Sequence, residues 1–144
     1  MIQVNNLIKW LCEDDRIERI IWFDKEEDIT FLIDVKENKM PVEYKLSYIE
    51  DMLQSEKIAF ESSDKYINIL KEEEIPTLYI EYRNRAWEII KSLVEEEPKV
   101  YISKERRRLI LELSKNINIS ESTINRYLKR YWCRKKKKNN NVQK

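Results

Sequence analysis

The sequence predicts an α+β chain: a small N-terminal β-barrel-like or half-barrel domain with one short helix, followed by a three-helix domain with helix-turn-helix layout. Three observations carry that prediction. Apolar runs separated by polar breaks fill the first sixty residues, the apolar spacing becomes helical after Pro76, and the sign of the charge reverses near residue 98. At 144 residues with 42% hydrophobic content, there is material for two small cores without covalent staples.

The strands come first. Asn6–Leu11, Ile17–Phe23, Ile29–Val35 and Ile58–Phe60 read as β segments, and Asp24-Lys25-Glu26-Glu27-Asp28 is the polar break that a hairpin needs between the second and third. Ser47-Tyr48-Ile49-Glu50 has the spacing of a capping box, so a short helix is expected over about Tyr48–Ser55. Ile20, Trp22, Ile29, Phe31, Ile33 and Leu53 are the expected core. The domain is assigned to residues 1–63; the Ser-Ser-Asp turn signal and acidic run within 61–76 read as a linker, assigned to 64–76.

The helices follow over 77–134. Pro76 suits a first helical position, and Leu78, Tyr82, Ala86, Ile89, Ile90 and Leu93 repeat at a helical period until Glu96-Glu97-Pro98 stops it. Ser103 is the expected cap of a second helix, about Lys104–Lys115, with the Arg106 stem, Leu109, Ile110 and Leu113 facing inward. Asn116-Ile117-Asn118-Ile119 makes the turn and Ser120 caps a third helix reaching about Arg134. A chain with no glycine must place asparagine where the backbone turns left-handed.

Composition then removes whole classes of chemistry. There is no histidine and there are only two distant cysteines, Cys12 and Cys133, so no Cys/His zinc site, no histidine acid–base pair and no disulfide framework is expected. Without glycine neither the P-loop nor the dinucleotide fingerprint can be written. No cofactor, no resident metal and no catalytic residue is expected. The N-terminus lacks a basic segment leading into an apolar core, and no apolar run approaches the roughly 20 residues that span a bilayer. The expectation is a cytoplasmic protein with no membrane partner.

The near-neutral net charge of +1 conceals a polarised chain. Residues 1–98 hold 13 Lys and Arg against 24 Asp and Glu, whereas 99–144 hold 15 against 3. Such a basic segment on an acidic body points to a polyanion as partner. On the third helix, stepping 100° per residue gathers Ile124, Tyr127, Leu128, Tyr131 and Trp132 on one arc, and Ser122, Asn125, Arg126, Lys129 and Arg130 on the other with Thr123 at its edge. A lone helix of this kind is ordinarily a solvated surface. Together with the preceding helix, the turn, the serine cap and the basic tail, it points to double-stranded DNA. Ser122, Asn125 and Arg126 are then expected on bases, and Thr123, Lys129 and Arg130 on the backbone. Arg107 and Arg108 add to the surface. Arg134, Lys135 and Lys136 open the tail, whose residues 135–144 are expected to be disordered in the free protein and to neutralise phosphates on DNA.

The run Ile119–Trp132, ending Arg126-Tyr127-Leu128-Lys129-Arg130-Tyr131-Trp132, resembles the N-terminal DNA-binding region of TnsB-type transposases, which belong to the Mu-like DDE recombinases. Arg19-Ile20-Ile21-Trp22, Ile33-Asp34-Val35, Met40-Pro41 and the helix near Ile49-Glu50 are similar to that family's opening β domain. The resemblance implies a bacterial, nucleoid-associated protein that recognises repeated sites at transposon ends and assembles with other transposition proteins. It also implies that the DDE catalytic domain lies beyond Lys144, so this chain is expected to be a non-enzymatic fragment or relative. Cys133-Arg134 and the lysines depart from the Gln-x-Gly stretch that usually follows in the family.

Two other readings use the same residues. Asp34-Val35-Lys36, with Asp24 or Glu18 on the strand before, resembles the acid-x-lysine part of a magnesium-dependent, restriction-endonuclease-like nuclease. A helix-turn-helix transcriptional regulator would use the same third helix.

Overall fold

The computed structural model describes residues 2–13, 16–64 and 77–134. The chain divides into two compact units, Met1–Tyr66 and Ile67–Lys144. Most of the expected linker, Pro76 included, and the tail from Lys135 onward lie outside the described residues.

The first unit is an antiparallel sheet of β1 (Leu7–Trp10), β2 (Ile17–Asp24), β3 (Ile29–Asp34), β4 (Val42–Tyr44) and β5 (Ile58–Phe60), with α1 (Leu46–Gln54) between the last two strands. The spatial order β4-β3-β2-β1-β5 leaves β4 and β5 as two separate edges, so the sheet is open where a barrel-like closure was expected. Strands of three and four residues at one side are too short to curl round and meet the other edge. Strand β4 was not expected, because three residues behind Pro41 carry too little alternation to register.

One face of the sheet packs Ile8, Trp10, Ile20, Leu32 and Ile58 around Ile49 of α1. Of the expected core, Ile20, Phe31 and Ile33 are fully buried, but Trp22, Ile29 and Leu53 are only half-buried. For Trp22 the cause is a bulge. Ile20 faces Leu32 while Trp22 faces Phe31, so one extra residue enters β2 and its two ends present opposite faces. A period of two read through the bulge therefore puts Ile20 and Trp22 on one side, and the fold does not.

The start of α1 differs from the capping box. The helix begins at Leu46, so Ser47 lies inside it and its amide is an orphan donor. Asp28, left-handed at φ 54° in the β2–β3 turn, supplies the missing acceptor: its carboxylate takes the Ser47 amide at 2.7 Å and the Ser47 hydroxyl at 2.8 Å. Those two bonds hold the Asp28 carboxyl below the usual range. A single aspartate thus turns the hairpin and caps a helix nineteen residues later.

The second unit contains α2 (Thr77–Val94), a 3-10 turn at Lys99–Tyr101, α3 (Ser103–Ile117) and α4 (Glu121–Cys133). Ala86, Ile90, Leu93 and Val94 of α2, Val100 and Tyr101 of the turn, Ile110 of α3 and five residues of α4 are buried in it. Leu78 and Tyr82, the first two positions of the expected helical apolar spacing, are exposed. No helix among the described residues is long and apolar enough to cross a membrane.

Candidate nucleic-acid interface

The local sequence shapes the connection between α3 and α4. Asn118 ends α3 with φ 57° and ψ 46°, a left-handed conformation that asparagine tolerates better than most residues. Asn116, expected to share that role, remains within the helix. Ser114 reaches from the last turn of α3 and donates its hydroxyl to the Ile119 carbonyl at 2.6 Å, closing the connection. No local pattern signals that brace, since a serine inside a helix is usually read as surface.

Ser120 then caps α4 as expected. Its Oγ accepts from the Thr123 amide at 3.2 Å and donates to Thr123 Oγ1 at 2.9 Å, with the Ser122 hydroxyl 3.3 Å away. Three hydroxyls are therefore grouped at the positive end of the α4 dipole. The cap expected at Ser103 is absent: α3 begins at Ser103 itself, after the extended Ile102, and the Ser103 hydroxyl accepts instead from Arg107 at 3.5 Å.

Helix α4 has the two faces expected of it. Ile124, Tyr127, Leu128, Tyr131 and Trp132 are all buried. Trp87 of α2 lies 5.6 Å from Tyr131 between ring centroids, and Tyr101 lies 5.5 Å from Trp132, so aromatic contacts hold α4 against α2 and the 3-10 turn. Neither Trp87 nor Tyr101 was singled out from sequence. Burial and the hydrogen bond of Tyr101 to Glu97 both push the Tyr101 hydroxyl well above the ordinary tyrosine range.

On the opposite face Ser122, Arg126 and Arg130 are exposed, and Thr123, Asn125 and Lys129 are half-buried. The Arg126 guanidinium lies 5.6 Å from the centroid of the Tyr127 ring. Asn125 donates its side-chain amide to the Glu121 carbonyl at 3.1 Å. None of the six side chains expected to meet DNA on this helix is buried.

The arginines outside α4 divide differently. Arg106 is buried, as its inward assignment requires, and its guanidinium donates to the carbonyls of Val100 at 3.3 Å and Tyr101 at 3.0 Å. Arg107 is exposed. Arg108 is exposed but paired with Glu105 at 2.9 Å. Arg134 is half-buried at the end of α4, where burial and then the nearby Arg130 and Arg83 lower its pKa. Lys135 and Lys136 lie outside the described residues.

The acid-x-lysine motif of the first unit has a different environment. Glu18 and Asp34 are cross-strand partners, whereas Asp24 sits at the far end of β2 opposite Ile29. Glu18 accepts from Trp10 Nε1 at 2.7 Å and pairs with Arg16 at 3.3 Å, and Arg16 lies over the Trp10 ring. Burial raises the Glu18 carboxyl above its ordinary value, and Arg16 opposes that rise. Asp34 Oδ1 accepts from the amides of Lys36 and Glu37, both at 2.9 Å. These carboxylates are occupied by a cation, an indole and a turn. Among the described residues no group of three His, Cys, Asp or Glu is placed to hold a metal ion.

Residues 83–140 match the family model of the TnsB second domain. The match takes in most of α2 and the whole of α3 and α4, and leaves residues 1–82 outside it. No curated protein sequence matches the chain. Over residues 83–140 the chain is therefore similar to the second domain of TnsB, and there the resemblance to the N-terminal region of TnsB-type transposases holds.

Proposed function

We propose that the second unit binds double-stranded DNA as a helix-turn-helix, with α3 and α4 as its two helices and α4 entering the major groove. The observation that carries this reading is the outward face of α4, where hydroxyl, amide and guanidinium groups stand together on a helix whose other side is pinned by five buried side chains. A rigid helix presenting polar side chains of both hydrogen-bonding senses fits readout of base edges.

In this reading Ser122, Asn125 and Arg126 meet bases. Thr123, Lys129 and Arg130 meet phosphates. Arg107 supplements them, and Arg108 does so to a lesser degree because Glu105 already holds it. Arg134 contributes chiefly to the local potential. Lys135, Lys136 and the remaining tail add sequence-independent attraction. Residues 1–63, with Asp64 tied to them by its pair with Arg19, act as a separate β domain joined to the helices by the rest of the expected 64–76 linker, and serve contacts with other transposition proteins. The similarity to the TnsB second domain supports transposase-related DNA binding; transposon-end repeats as the DNA, in the bacterial cytoplasm, with strand transfer performed elsewhere, complete the proposal.

Selection of duplexes from a randomised library by the whole chain tests the reading. Convergence on one short sequence is expected, with the consensus blurred at one position by Arg126→Ala. Recovery of unbiased sequence would reduce the protein to a non-specific binder, and recovery of no DNA would remove the reading.

A further inference from the structure

We infer that Tyr127 is a positioning residue for Arg126: its ring and hydroxyl hold the guanidinium ready for a base edge, with Tyr82 of α2 bonded to the same hydroxyl. This deepens the proposed DNA-binding reading and rests on it.

Neighbouring residues on a helix project about 100° apart, so a contact between Arg126 and Tyr127 is not automatic. Arg126 nevertheless turns back over its neighbour. Its guanidinium carbon lies over the Tyr127 ring, 5.6 Å from the centroid, and the guanidinium is hydrogen-bonded to the Tyr127 hydroxyl. A guanidinium can only donate, so the hydroxyl accepts. Arg126 is exposed, whereas Tyr127 is buried among the side chains that pin α4. The Tyr127 hydroxyl also bonds the hydroxyl of Tyr82, either oxygen being able to donate. An exposed tyrosine of α2 is thereby joined to the arginine expected on bases.

The arrangement suits an arginine that reads a base. A long exposed side chain loses rotamer freedom when it meets a base edge, and holding it beforehand removes part of that loss. The guanidinium has five N–H donors, so one bond to Tyr127 leaves enough for the two-point contact to O6 and N7 of guanine. The phenol is also uncharged. It orients Arg126 without cancelling the positive charge, whereas Arg108 is held by the carboxylate of Glu105.

The experiment uses the whole chain, the duplex that the wild type selects, and a second duplex changed at the base pair whose preference depends on Arg126. Anisotropy titrations compare wild type, Tyr127→Phe, Arg126→Ala and the double substitution. Tyr127→Phe keeps the ring and removes the hydroxyl. It is expected to weaken the selected duplex about fivefold, to leave the changed duplex within about twofold, and to cause no further loss once Arg126 is alanine. The same fivefold loss in both backgrounds would show that Tyr127 acts independently of Arg126, and would overturn the inference. An unchanged affinity in a folded Tyr127→Phe would do the same. Tyr82→Phe leaves Tyr127 intact and decides the case if Tyr127→Phe does not fold: a loss of about threefold, present only with Arg126, is expected, and no loss would overturn the inference. Equal weakening of every sequence by Arg126→Ala would overturn it while leaving the DNA-binding reading intact. Failure of the wild type to enrich any sequence would overturn this inference and the reading beneath it together.

Discussion

The two units of this chain handle charge in opposite ways. The Met1–Tyr66 unit carries 9 Lys and Arg against 16 Asp and Glu, and its arginines are consumed internally. Arg19, fully buried, makes a two-point pair with Asp64 at 2.8 and 2.9 Å and also donates to the Asn5 carbonyl, while Arg16 is held by Glu13, Glu18 and Tyr44. The Ile67–Lys144 unit has 19 against 11, and its buried Arg106 is satisfied by backbone carbonyls. A carbonyl accepts the hydrogen bonds without cancelling the charge. The arginines of the first unit are thus spent on structure, whereas the second keeps an excess of positive charge beyond its own ion pairs, such as Arg108–Glu105, and an excess of that sign attracts a polyanion.

The largest effect that should separate the units comes from Trp132→Ala. Trp132 is completely buried and rests on Tyr101, so its truncation should cost about 3–5 kcal/mol and unfold the helical unit. Urea titration followed by far-ultraviolet circular dichroism should show the helical signal disappearing early. A fully folded variant defective only in DNA binding would make Trp132 a contact residue instead.

Asp64→Ala should cost the β unit about 3 kcal/mol, because it leaves the Arg19 charge buried without its carboxylate. DNA affinity measured by anisotropy should stay unchanged as long as the helical unit remains folded. An equal fall in DNA binding would break the division of labour between the units.

Arg126→Ala should cost about 1–3 kcal/mol on the selected sequence and much less on others, whereas Lys129→Ala should weaken all sequences alike. Equal weakening on every sequence would make Arg126 a phosphate contact. At Asn118 the left-handed backbone should make Asn118→Ala cost about 1 kcal/mol and Asn118→Gly almost nothing, measured as midpoints of thermal unfolding.

The smallest expected effect is a pH dependence. Because the folded β unit raises the Glu18 carboxyl, it takes up a proton more readily than the unfolded chain does. The Glu18 contribution is therefore most favourable at low pH, and declines as pH rises from the ordinary carboxylate value through the raised one. Glu18→Gln should remove that component from stabilities measured between about pH 4 and 7. A wild-type profile unchanged by the substitution would mean that Arg16 fully offsets the burial.

What could be read from the sequence follows from where each signal lives. The faces of α4, its Ser120 cap and the Asn118 turn are local, set by residues within one or two helical turns, and could be read directly. The α+β division was likewise visible in the change of apolar period. The bulge between Ile20 and Trp22, the open sheet and the capping of α1 by Asp28 depend on residues far apart in the chain, which no window of neighbours contains. The same limit applies to chemistry. Asn125 was legible as a polar residue on the polar arc of the helix, but its bond to the Glu121 carbonyl is displayed only by the folded helix.

If the outward face of α4 is the DNA-binding surface, the salt dependence of binding tests it most directly. Titrating the selected duplex over a range of salt concentrations should give a linear fall of log K with log salt. Replacing Lys129 and Arg130 together by alanine should reduce that slope by about 2, one for each phosphate that is no longer neutralised. A slope unchanged in the doubly substituted chain, with its helical content intact, would contradict the claim and move the binding surface elsewhere.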